Sequence, residues 1–219
     1  MASLDSTDLD RLPLRERKKL RTRQALVDTA LDLFTDRGFD GVTLDALCDA
    51  VDVSKRTFFR TFSSKEDVAM APTQDLWAAF LEELEEVEPA TGQPLFDVLR
   101  DALLAALGRM PADGWAHRML LSRRLAARTP SMDAHGLAFC DRTSRAALVV
   151  ARRRFALPGG GDLRPRLAVD VLVAAFHRAL EAWALESWAK EPDPTRDRLA
   201  SLLREACAAL PTAFTLPAR

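Results

Sequence analysis

Residues 43–62, TLDALCDAVDVSKRTFFRTF, set the narrowest limits on what this chain can become. They read as two short helices joined by a tight turn. In the first, Leu44, Leu47, Cys48 and Val51 recur at helical spacing on one face. Thr43 precedes it, and its hydroxyl suits a cap that accepts one of the unpaired first-turn N–H groups. Val53 fills the turn, and Ser54 offers a second cap ahead of Lys55, Arg56, Thr57, Phe58, Phe59 and Arg60. Phe58 and Phe62, four apart, share an inward face. Lys55, Arg56, Thr57, Phe59 and Arg60 then project elsewhere. A short capped helix rimmed with cations and a hydroxyl suits a recognition helix lying in a DNA major groove.

The chain as a whole is not basic. Its 219 residues carry a formal net charge of -1, so a nucleic-acid binder of this composition must concentrate its cations locally. One such concentration starts at Leu14: LRERKKLRTR, with Arg15, Arg17, Lys18, Lys19, Arg21 and Arg23. It runs into QALVDTALDLFTDRGF, where Leu26, Ala30, Leu33 and Phe34 form one stripe and Gly38 supplies a left-handed stop. The plainer reading of the run is a solvated helix start. The macrodipole, however, favours cations at a helix C-terminus, so cations at the beginning point to an external anion such as phosphate.

Other classes recede on inspection. The N-terminus, MASLDSTDLD, is acidic and polar, unlike a signal peptide, and no uncharged apolar run reaches the ~20 residues of a membrane helix. A cytoplasmic location is expected. Cys48, Cys140 and Cys207 are far apart and lack CxxC spacing, as reduced thiols would be. His117, His135 and His177 show no metal-ligand spacing, so no metal and no cofactor is expected. Neither a nucleophile elbow nor a paired-carboxylate arrangement is present, and Gly159-Gly160-Gly161 lacks the strand and Lys-Ser/Thr pair of a phosphate loop. An enzyme is not expected.

Beyond the opening stretch the chain reads as all-α. Ser63 and Ser64 qualify as caps, Glu66 and Asp67 suit a helix start, and Lys65 falls in the first turn, within reach of a phosphate. Pro72 predicts a kink or break around residues 70–73, after which Leu76, Trp77, Phe80, Leu84 and Val87 face inward. Further helices are expected at about 95–109, 112–128, 131–155, 163–190 and 195–210, separated by proline- and glycine-bearing turns. LAVDVLVAAF, from Leu167, is apolar nearly all round, and the final helix repeats Leu199, Leu202, Leu203, Ala206 and Leu210. Leu172, Leu180, Trp183, Trp188, Leu199, Leu202, Leu203 and Ala206 are the expected dimer surface of a four-helix interface. Packing onto the chain's own core is the competing account.

From Arg21 to about Val68 the chain resembles the TetR family of transcriptional regulators. The resemblance rests on Ala30-Leu31-Asp32-Leu33-Phe34 leading to Gly38-Phe39, Thr43 opening the second helix, Val53-Ser54 opening the third, and Thr57-Phe58-Phe59-Arg60-Thr61-Phe62 leading into Ser64-Lys65-Glu66. It covers about the first third of the chain. It implies an N-terminal three-helix helix-turn-helix DNA-binding domain at 14–64 and a larger helical effector-binding and dimerisation domain at 65–211. Tails at 1–13 and 212–219 flank them. It also implies a homodimer on a near-palindromic double-stranded DNA operator, with recognition helices ~34–36 Å apart. Groove contacts fall to Lys55, Arg56, Thr57, Phe59 and Thr61, and phosphate contacts to Thr43 and Lys65, with Ser54 and with Arg17, Lys18 and Arg21 of the basic run as further DNA-binding candidates. Position 59 departs from the family, which commonly carries a phosphate-binding Tyr there, whereas this chain has no Tyr at all.

The resemblance further implies a repressor released by a small-molecule effector. The alternative is a regulator of the same fold controlled by abundance or a protein partner. Candidate effector residues are Trp115, Met119, Phe139, Phe176, His177 and Glu181, polar or bulky positions in otherwise aliphatic helices. Ordinary core packing competes for each of them. Glu181 has His177 and Arg178 within one turn as partners. The arginines from Arg118 to Arg154 read mainly as solvated or ion-paired, with an anionic effector as the alternative.

Overall fold

The computed structural model describes residues 13–112, 114–159, 161–189, 195–213 and 215–216. The expected tail ahead of residue 13, and the turn at 191–194, lie outside the described residues. Among those described there are ten helices and no strand. They are α1 (Leu14–Arg37), α2 (Leu44–Ala50), α3 (Lys55–Thr61), α4 (Lys65–Ala69), α5 (Ala71–Glu86), α6 (Leu95–Arg109), α7 (Trp115–Ala126), α8 (Pro130–Arg154), α9 (Arg164–Ala189) and α10 (Arg196–Ala213).

Three of the expected caps form. The Thr43 hydroxyl accepts the Ala46 N–H at 3.1 Å, Ser54 accepts that of Thr57 at 3.2 Å, and Ser64 accepts that of Asp67 at 3.2 Å. Each satisfies a first-turn donor that the helix itself leaves without a partner. The turn between α2 and α3 places Asp52 at φ 54°, a left-handed conformation tolerated by Asp, and the Val53 N–H closes it on the Cys48 carbonyl.

The helices group into two compact units, each made of two stretches of chain. One comprises Ala2–Asp75 and Asp113–Ala138, and its core gathers Leu26, Leu31, Phe34, Leu47, Phe58 and Val68 with Leu121, Leu125 and Met132 of α7 and α8. Here the break expected at Pro72 is explained. Met70 ends α4, its carbonyl accepts the N–H groups of both Thr73 and Gln74, and Pro72 falls in the first turn of α5, where a missing N–H costs no bond. The buried indole of Trp115 donates to the Pro72 carbonyl at 3.1 Å. Gly136 lies directly over the joint, where a Cβ would stand 3.3 Å from Met70 Cε.

The other unit comprises Leu76–Ala112 and Phe139–Arg219. Trp77 stacks edge-on against Phe80 and Phe176, each at 5.3 Å between ring centroids, and α9 packs along α10 and α6. The start of α9 falls within a residue of expectation, and the end of α10 lies beyond it. Helix α9 starts with Asp162 accepting the Arg164 N–H at 2.9 Å. The Arg164 guanidinium beside it holds that carboxyl down at about 2. Helix α10 runs on through Pro211 to Ala213, past the end expected at Leu210. A proline forfeits its own N–H, and the Thr212 hydroxyl adds a bond to the Ala209 carbonyl in this final turn.

Candidate nucleic-acid interface

Helix α3 is anchored by Phe58 and Phe62, which are 0% and 4% exposed, so the opposite face is fixed in direction. Lys55, Arg56, Phe59 and Arg60 are exposed on it, with Phe59 56% accessible and packed edge-on against Phe58. Arg56 and Arg60 have no ion pair among the described residues. Lys55 reaches across the turn to Asp45 at 2.7 Å, and that hydrogen-bonded carboxylate pushes its ammonium up from the ordinary lysine range. The hydroxyls are partly engaged. Thr61 donates to the Thr57 carbonyl at 3.2 Å, and Ser54 and Thr57 share a hydrogen bond at 3.1 Å. Thr43 only accepts in its cap, so its own proton remains to be donated.

Lys65 takes a different place from the expected phosphate contact. Its ammonium donates to the carbonyls of Phe39 and Val42, both at 2.8 Å, and stands 4.5 Å from the Phe39 ring centroid. It closes the α1–α2 loop onto α4. Behind it, burial alone raises the Asp67 carboxyl, but hydrogen bonds from the Ser63 N–H and the Gln74 amide, each at 2.7 Å, outweigh that. The group is held below the ordinary carboxylate range.

The basic run of α1 divides into two populations. Arg23 turns inward, with a bidentate pair to Asp75 at 2.7 and 3.1 Å and its guanidinium over the Phe62 ring. Arg15, Lys18, Lys19 and Arg21 are exposed, and Arg17 is half-buried. Arg15, Lys18 and Lys19 line a cleft of about 680 Å³ with Leu14, Glu16, Thr22, Arg60 and Thr61. The cleft thus joins the start of α1 to the end of α3. Arg60, which the sequence pattern turns outward, belongs to it although the contacts implied by the family resemblance leave it out. Its place midway between the inward Phe58 and Phe62 is the signal that points it outward.

The candidate effector residues fall in separate units. Trp115 and Met119 are buried against the α4–α5 joint, where the Met119 sulfur accepts from the Thr73 hydroxyl at 3.4 Å. In the other unit Phe176 is buried in the stack on Trp77, and Phe139 is half-buried. His177 Nε2 lies 3.7 Å from the Cys140 sulfur, and Glu181 pairs with Arg178 at 2.6 Å. None of these lines the open groove of about 880 Å³ between α6, α9 and α10. Phe96, Leu104, Leu167, Val171 and Pro211 form its apolar wall, with Arg100 and Arg204 among its charged residues.

Most of the expected dimer residues are covered within the single chain. Leu172, Leu199 and Leu203 are fully buried, Trp183 is 1% exposed, and Leu180 and Leu202 are below a tenth exposed within a single chain. They pack α9 and α10 into the unit's own core. Ala206 is half-buried, and the Trp188 side chain lies outside the described residues. Among the described residues, the large apolar side chains exposed on α9 are Leu167 and Leu185.

Comparison with known proteins agrees with this arrangement. The profile of the bacterial regulatory proteins, tetR family, matches residues 26–71, from the buried half of α1 to the start of α5. The HTH-type transcriptional regulator TcmR of Streptomyces glaucescens is 37% identical over 181 residues, spanning 80% of this chain and 78% of TcmR. The biofilm operon icaADBC HTH-type negative transcriptional regulator IcaR of Staphylococcus epidermidis is 26% identical over 60 residues, or 27% of this chain and 32% of IcaR. Among solved structures, reduced E. coli NemR aligns with a TM-score of 0.41 at 21% identity, covering 85% of this chain and 95% of NemR. On the extent of the TcmR match and the helix-turn-helix profile, the chain belongs to the TetR family of bacterial transcriptional regulators.

Proposed function

We propose that the protein is a homodimeric, sequence-specific repressor that a small-molecule effector releases from a near-palindromic operator. The observation that carries this reading is the outward face of α3. A buried Phe58 and Phe62 fix its orientation, and Arg56, Phe59 and Arg60 stand exposed beside a Lys55 held by one surface carboxylate. Arg and Lys donors suit guanine O6 and N7 in the major groove, and Phe59 suits a thymine methyl or a sugar. Thr43 donates to a backbone phosphate, and Arg17, Lys18 and Arg21 extend the phosphate contacts along α1. Two such units, brought by dimerisation to successive major grooves, read half-sites ~34–36 Å apart.

For the signal, the α4–α5 joint is the element to be biased. Trp115 and Met119 hold its downstream side, while Lys65 ties its upstream side to the α1–α2 loop. An effector with different affinity for two settings of this joint shifts their populations and with them the spacing of the recognition helices. The groove between α6, α9 and α10 has the volume of a ligand site. Control by abundance or by a protein partner is the second reading, and the close packing of Trp115, Met119 and Phe176 favours it. Selection of binding sites from random DNA, repeated with candidate metabolites, tests both. Enrichment of an inverted repeat that a metabolite abolishes supports the first reading. An enriched repeat indifferent to every metabolite supports the second, and no enrichment overturns both.

A further inference from the structure

Helix α8 begins against α4. Near its start Ser131 meets the Glu66 carboxylate, His135 faces Asp67, and Gly136 covers Met70. Both carboxylates are half-buried, and among the described residues neither has a Lys or Arg ion partner. Neutral donors hold Asp67: Ser63 gives its N–H and its hydroxyl to Oδ2, and the Gln74 amide of α5 donates to Oδ1. A carboxylate oxygen accepts two bonds, so Oδ1 has room for a second donor. His135 Nε2 lies 3.9 Å from it, beyond hydrogen-bond range, and is shielded from solvent with no hydrogen-bond partner among the described residues. The charged groups within electrostatic reach of the ring are Glu66 and Asp67, both on α4. Asp133, two residues earlier on α8, points to another side of its own helix. A neutral imidazole leaves this contact incomplete. Its Nε2 either turns a lone pair toward a carboxylate or holds an N–H too far away to donate. A protonated ring donates from both nitrogens and brings the positive charge that the two acids lack.

We propose that His135 is a proton-operated latch: protonation closes the gap to Asp67 with an Nε2–H to Oδ1 bond, clamps the start of α8 onto α4, and favours the DNA-binding setting of the α4–α5 joint. The coupling to DNA rests on the function proposed above, whereas the latch itself does not. Helix α4 also carries Lys65, which ties it to the α1–α2 loop at the Phe39 and Val42 carbonyls. Fixing α4 therefore fixes the frame of the recognition unit and reduces the ordering that operator binding requires. The sign follows from linkage. The bond exists only with the proton on the ring, so it adds stability as pH falls through the histidine range and is lost as pH rises through it. Asp67 stays ionised throughout that range, because its carboxyl is held below the ordinary carboxylate values.

Chemical denaturation of the full chain between about pH 8 and 5.5 tests the latch without DNA. Relative to His135→Gln, the folding equilibrium constant of the parent is expected to rise about three- to tenfold as pH falls over this range. The comparison cancels His117 and His177, which both proteins share. Asp67→Asn keeps the shape of the acceptor and removes its charge. It is expected to lose the same gain, and it is the reference should His135→Gln fail to fold. A parent curve that runs parallel to that of either variant overturns the latch, since a merely structural contact is lost equally at every pH. For the coupling, the affinity of the parent for a selected operator is expected to gain about threefold on that of His135→Gln between about pH 8 and 6. A ratio that stays flat or falls overturns the coupling to the joint. If neither protein binds any DNA, the proposed function fails, and denaturation still decides the latch.

Discussion

In the unit containing α6, α9 and α10, carboxylates meet most arginines. Arg100 pairs with Asp97 and Asp101, Arg109 with Glu82 and Glu83, Arg166 with Asp170, and Arg198 with Glu186 and Glu205. In the unit built on α1 to α4, Arg15, Lys18, Lys19, Arg21, Arg56 and Arg60 have no such partner among the described residues. The two sets look alike in composition and differ in what they can do. A paired guanidinium has its field cancelled nearby and holds helices together. An unpaired one keeps its attraction for a phosphate and releases counterions on binding. A formal net charge of -1 thus conceals a locally cationic face, because no carboxylate among the described residues pairs with these six side chains.

Substitutions can break this contrast from either side. The largest effect is expected for R56A/R60A, which removes two unpaired cations. Operator binding falls by about 2–4 kcal/mol with the melting temperature unchanged, as anisotropy titration and thermal melting read out. An equal loss of melting temperature would show these arginines to be structural after all. Arg109→Gln acts on the paired set. It removes the donor that Arg109 supplies to Glu83 and lowers stability by about 1–2 kcal/mol, while the folded fraction binds operator as before. Chemical denaturation alongside DNA titration separates the two quantities.

Asp67→Asn sharpens the contrast through pH. The lowered carboxyl of Asp67 contributes stability that is complete above the ordinary carboxylate range and is lost as pH falls through the folded value. The variant is therefore less stable by about 1–2 kcal/mol near neutral pH, and the two denaturation curves converge in acid. Parallel curves at every pH would remove the charge from the explanation. Smallest is Phe59→Tyr, which adds a hydroxyl in reach of a phosphate and tightens operator binding by about 0.5–1.5 kcal/mol.

The helix-turn-helix was legible because its determinants are local. A Thr or Ser cap, a Gly stop and two aromatic residues four apart act within one or two turns, and the structure realises them at Thr43, Ser54, Gly38 and the Phe58–Phe62 pair. What depends on distant partners was less legible. Lys65 lies in a first turn, as read, but the carbonyls it serves are 26 and 23 residues away, so no window around it discloses them. Arg23 looks like its neighbours in LRERKKLRTR until Asp75 arrives from 52 residues on. Leu172, Leu199 and Leu203 read as surplus apolar surface because periodicity reports how much of a helix is apolar. It does not report how many of its own neighbours cover it. The groove escaped notice for the same reason: α6, α9 and α10 each supply one wall, and no single helix carries its signature.

Gly136 gives the α4–α5 joint a mechanical calibration. With Met70 Cε 3.3 Å from where a Cβ would stand, alanine acts as a thin shim, since the thioether end can yield by a few tenths of an ångström. Valine or leucine acts as a wedge that the same flexible end cannot fully absorb. A graded series at this one position therefore offers a dial on the resting state of the joint. It can be turned without altering a group that meets DNA or a residue that lines the groove.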